Sequence, residues 1–155
     1  MYFRRQKGYI EQQIEGIALV LARVIGFKDS GDLPAAQVEV GKSFHDLSGF
    51  SLATVLALPV EMASTPFRSG SQIDAGKALA AAMLLQEHAS IVAERNLAGS
   101  SNAALRRALE LYCECVLAEE SLRTPEYEAR IFGVLALLGD DALTESTRRR
   151  LKTPF

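Results

Sequence analysis

The 155-residue sequence has no long apolar run. Its longest unbroken one is Ala78 to Leu85, far short of the roughly 20 residues a membrane-spanning helix needs. β-Branched aliphatic residues are scarce as well: Val and Ile supply 16 residues, against 43 for Ala and Leu. That imbalance favours helix over sheet, because unbranched side chains lose little rotamer freedom in a helix. A dominant charge sign is also missing. With 17 cations, 19 anions and a net charge of −2, no global field draws the chain to nucleic acid or anionic lipid. Two cysteines, Cys113 and Cys115, fall in one expected helix, about 200° apart around its axis, so they should not pair with each other. Reduced thiols and a cytoplasmic location are the expectation. A secretory leader is not expected either, since Glu11 and Glu15 follow the basic start and Arg23 interrupts Ile17 to Ile25.

What is present is helical periodicity. Ile10, Ile14, Ile17, Leu21 and Val24 recur at alternating spacings of four and three, which predicts a long helix over about residues 3–25, closed by Gly26. Phe3 extends this seam backwards, across Lys7. Asp32 and Pro34 open a second helix that Gly49 ends, with Val40, Phe44 and Leu47 on one face. FSLATVLAL reads as a short buried helix stopped by Pro59, with a further turn or two through Met62. The stretch STPFRSGS is the best candidate for a mobile loop. A second long helix is expected over 72–97, started by Ser71 and Asp74, and a third from a Ser101 cap to about Glu120. Thr124, Pro125 and Glu126 open the next helix, and Gly139 ends it. A last helix from Thr144 to about Lys152 carries RRRLK, the charge that a helix C-terminus prefers. The expected architecture is all-α: antiparallel helical hairpins in one domain over 1–155, with a softer boundary near residue 70.

The segment from Lys77 to Tyr112 resembles a degenerate tetratricopeptide hairpin. Ala104, Ala108 and Leu111 stand where that motif places a small, an aromatic and a second small residue. The chain as a whole is similar to a family of small uncharacterised bacterial all-helical proteins, domains of unknown function. The likeness lies in an N-terminal helix ending LARVIG, then LSGFSLATVLAL, then the hairpin. It implies a helical fold, tetratricopeptide-like in the C-terminal half, and brings no activity with it.

Few residues carry chemistry. His88 follows Leu84 by four and precedes Ile91 by three, which sets it against a neighbouring helix. It could be a base, a pH switch or a ligand, or a packed imidazole bonded to a carbonyl or a Glu. His45 and Asp46 are neighbours and diverge on a helix, so no metal pair arises there. Cys113-Glu114-Cys115 has neither the redox nor the zinc spacing. Phosphate loops, nucleophile elbows and dinucleotide fingerprints are missing. Glu110, Glu114, Glu119, Glu120, Glu126 and Glu128 stand against Arg123 alone and read as a solvated face. Arg4, Arg5 and Lys7 at one end, and Arg148, Arg149, Arg150 and Lys152 at the other, lack an aromatic stacking platform, so nucleic acid is not the expected partner. No catalytic, cofactor or metal residue is therefore assigned. The expected function is a non-catalytic protein–protein interaction module. Any homodimer contact would fall near Phe3 and Ile10. The alternative is a small-molecule-binding or enzymatic domain with a pocket around His88.

Overall fold

A computed structural model of the chain describes residues 2–139, with side chains from residue 8 onward except at Ala98. The expected terminal helix, its basic cluster, and the side chains of Phe3, Arg4, Arg5 and Lys7 lie outside the described residues. The described chain is mostly helical. Six α-helices follow one another: α1 (Tyr2–Asp29), α2 (Leu33–Ser48), α3 (Leu52–Ala57), α4 (Ala75–Glu94), α5 (Ala98–Ala118) and α6 (Pro125–Leu138).

Side-chain caps explain most of the starts. Asp32, Ser51, Asp74 and Thr124 each accept a hydrogen bond from a backbone N–H three residues on. Gly49, left-handed at φ 80°, ends α2, as only a residue without Cβ does cheaply. Gly26 does not end α1. The helix runs on to Asp29, and the left-handed residue beyond it is Gly31. The extra turn holds Lys28, which reaches Glu87, Ser90 and Glu94 of α4.

Helix α4 is the hub. Fourteen of its 20 residues are buried, from Ala75 to Val92, and it packs on α1, α2 and α5. Its run of alanines lets the neighbouring backbones come close. At Gly76 the Tyr9 ring of α1 comes close: an added Cβ would meet its Cε1 at 3.1 Å. Residue pairs set the directions. Tyr9 meets Asp74 and Lys28 meets Glu87, so α1 runs parallel to α4. Cys115 lies by Ala75 and Ser101 by Ala89, so α5 runs antiparallel. Helix α6 packs back on α5 and hardly touches α1. Of the α1 seam, Ile10, Ile17 and Val24 are buried, and Ile14 and Leu21 pack partly against the same core.

Three expectations need correction. The 64–72 stretch is structured: a 3-10 turn (Thr65–Phe67) leads into a two-stranded antiparallel hairpin, β1 (Arg68–Ser69) and β2 (Gln72–Ile73). Phe67 anchors it, 2% exposed, with its ring edge-on to Phe44 at 6.4 Å. Because the hairpin takes up residues 68–73, α4 starts at Ala75 and Ser71 caps nothing. Ser101 is no cap either: α5 begins at Ala98, and the Ser101 hydroxyl instead donates to the Ala89 carbonyl at 2.9 Å, tying the α4–α5 hairpin together. Helix α3 forms as expected, but only Val55 of it is buried.

Candidate functional site

Because α1 and α6 run side by side without packing on each other, a groove opens between them, with a depression at each end. The larger, about 650 Å³, lies where Leu21 of α1 and Leu137 of α6 look across Met83 and Leu105. The smaller, about 400 Å³, has a floor of Ile10, Ile14, Leu122 and Tyr127, with Glu11 and Glu15 on its rim. Leu137 is 70% exposed, and Glu11 and Glu15 are exposed as well.

Several polar groups around the larger depression are bonded within the protein. The buried Tyr112 hydroxyl donates to Gln86 Oε1 at 2.7 Å and takes a hydrogen bond from Arg130. Burial raises the Tyr112 pKa, so the phenol stays protonated. Lys28 Nζ donates to Ser90 Oγ at 3.0 Å and to Glu87 Oε1 at 3.2 Å. Burial alone would lower the Lys28 pKa. Its bonds and charge contacts with Glu87 and Glu94 outweigh that, and the net direction is up. Such a lining fixes the shape of the groove and leaves few groups to activate a substrate.

His88 sits beside this groove without facing it. Its neighbours Glu87 and Ala89 line the larger depression and His88 does not, because each helical residue turns about 100° from the last. It lies seven residues before Arg95, whose guanidinium reaches Gln37 of α2, so its stripe of α4 is turned toward α2. The imidazole is 8% exposed, and Nδ1 is buried without a hydrogen-bond partner. Burial lowers its pKa, so the neutral form is favoured. The carbonyl or Glu bond expected for it is therefore missing at Nδ1.

The other singled-out residues fall into the core or into ion pairs. Cys113 and Cys115 are buried thiols, not joined in a disulfide. Burial raises the Cys115 pKa, which suppresses the reactive thiolate. Within the acidic concentration, Glu110 pairs with Arg107 at 3.6 Å and Glu114 with Arg68 at 3.4 Å, so it is less uniform than the sequence suggested. Ile10 is 5% exposed and belongs to the chain's own core. Among the described residues, no three His, Cys, Asp or Glu side chains gather as a metal site would require. No described helix is long and apolar enough to cross a membrane.

Sequence reasoning missed Arg107, which is 7% exposed and donates to the Leu58 carbonyl behind α3. The signal was there: Arg107 stands three after Ala104 and four before Leu111, on the buried face of α5. It also missed the Tyr9–Asp74 bond, since 65 residues separate the partners. Comparison with protein-family models, with curated proteins and with solved structures finds no significant match to this chain.

Proposed function

We propose that the chain is a non-catalytic helical interaction module, tetratricopeptide-like in its α4–α5 hairpin, and that the α1–α6 groove receives a helix of a protein partner. The observation that carries this is the groove itself: apolar side chains of α1, α4, α5 and α6 line it between exposed walls, and Gln86, Glu87 and Ser90 in its lining are bonded to other protein groups. An amphipathic helix lays its apolar face into such a groove, with anchors at intervals of three and four. Supporting the tetratricopeptide likeness, Ala104, Ala108 and Leu111 are fully buried, and small residues there let α4 and α5 approach closely. Glu11 and Glu15 on the rim favour a partner helix with basic residues at that end.

Selection from a displayed library of helical peptides tests this reading, with Leu137→Glu as control. Leu137 is exposed enough for the fold to survive the change. Basic amphipathic peptides should be enriched on the parent chain and lost on the variant. Failure to enrich any peptide, or equal binding to both chains, would contradict it. The pocket expected around His88 gains no support, because His88 lies off the groove.

A further inference from the structure

We infer that residues 49–62 form a flap on α5, latched by Arg107, that opens while the rest of the bundle stays closed. This device is separate from the groove and does not depend on it. Arg107 follows Leu105, a lining residue of the groove, by two positions, so it points about 200° away around α5. The flap therefore lies across α5 from the groove.

The excursion has a firm base. Phe44 of α2 and Phe67, one on either side of it, are buried and meet edge-on at 6.4 Å. Gly49 turns the chain outward with a left-handed backbone, φ 80°, and Ala63 and Ser64 are buried again on its return. A stretch that leaves and returns at one pinned place can detach as a unit, without pulling on the elements beside it.

Little holds the excursion down. Helix α3 packs only lightly on α2 and α5. Val55 is its one buried residue, and Leu52 and Leu56 are partly packed. Phe50, Val60 and Met62 are exposed. The remaining hold is Arg107, whose Nη2 donates to the carbonyl of Leu58, the residue that ends α3.

That latch is only half satisfied. Arg107 is buried, yet its Nη1 has no hydrogen-bond partner. Glu110 Oε2 stands 3.6 Å from Arg107 Nε, beyond hydrogen-bonding distance, and is also buried without a partner. Burial raises the Glu110 pKa against the pull of Arg107 and Arg106, so the ion pair does not offset its lost hydration. Opening returns both groups to water, which favours it. It also breaks the bond to Leu58 and uncovers Val55, which opposes it. Six residues of helix do not persist alone in water, so α3 melts as the flap leaves α5.

Thiol labelling of the full chain carrying Val55→Cys tests this, with each site read by mass spectrometry. The native Cys113 and Cys115 are buried in α5, so in the same sample they report opening of the bundle itself. The thiol introduced at position 55 should react at least about tenfold faster than either. Adding Arg107→Met should raise that ratio about tenfold further, as expected for one charged hydrogen bond lost from the closed state alone. Should Arg107→Met unfold the chain, all three thiols react together. The pair Arg107→Met with Glu110→Gln, which strands no carboxylate, is then read in the same way. A position-55 thiol no faster than Cys113 and Cys115 would mean that the flap has no opening of its own. A ratio that neither Arg107 variant changes would mean that Arg107 latches nothing. Either result overturns the inference.

Discussion

Single residues hold the helices in register, and Asp74 shows how. One carboxylate oxygen caps α4 by accepting from the Lys77 N–H at 3.1 Å, and the other accepts from the Tyr9 hydroxyl at 2.9 Å. Tyr9 is pushed up to about 12 by burial and by this carboxylate. Asp74→Ala removes a cap and an interhelical bond together, so it should lower stability by about 2 kcal/mol in urea unfolding. A loss under about 0.5 kcal/mol would mean that neither bond matters. His88 makes the opposite case. Its pKa is lowered in the folded chain, so the unfolded state binds the proton more readily. Stability is therefore greatest above the unfolded value of about 6.5 and falls as pH drops through it. His88→Leu should flatten that decline between about pH 7 and 5 while changing stability at pH 7 by less than about 1.5 kcal/mol. An equally steep decline in the variant would place the pH dependence elsewhere.

Among the elements, α1 and the 68–73 hairpin depend on different anchors. Ile17 is 6% exposed and Ile10 5%, so a carboxylate at either position is buried without a partner. Both Ile17→Asp and Ile10→Asp should cause large losses in melting temperature. A variant that melts with the parent would show that its turn of α1 lies outside the core. Phe67→Ala should cost about 3–5 kcal/mol by emptying the space against Phe44, and should free the hairpin to exchange its amides. A smaller cost would show that the hairpin needs no anchor.

The same elements explain what was legible. Starts such as Asp32, Ser51 and Thr124 act within three residues of themselves, so local chemistry reveals them. Gly26 and Ser101 misled because what decides them is distant: Lys28 rewards an extra turn of α1 on α4, and Ser101 finds the carbonyl of Ala89. Phe67 was hidden inside a Ser, Gly and Pro-rich stretch whose local pattern says loop.

At the scale of the whole molecule, the all-helical character was readable from composition and spacing, and the groove was not. A groove is a relation between α1 and α6, which are far apart in the sequence, and no periodicity states where two helices fail to meet. The seam residues that form its floor were visible, as Ile10, Ile14 and Leu21. Their second neighbour was not.

Methyl NMR of the full chain, titrated with a basic amphipathic helical peptide, tests the groove most directly. Shift changes should concentrate at Ile10, Ile14, Leu21 and Leu137, which wall and floor the two depressions. They should spare Val60 and Met62, which are exposed but outside its lining. Shifts centred on Val60 and Met62, or no shifts at saturating peptide, would contradict a helix-binding groove between α1 and α6.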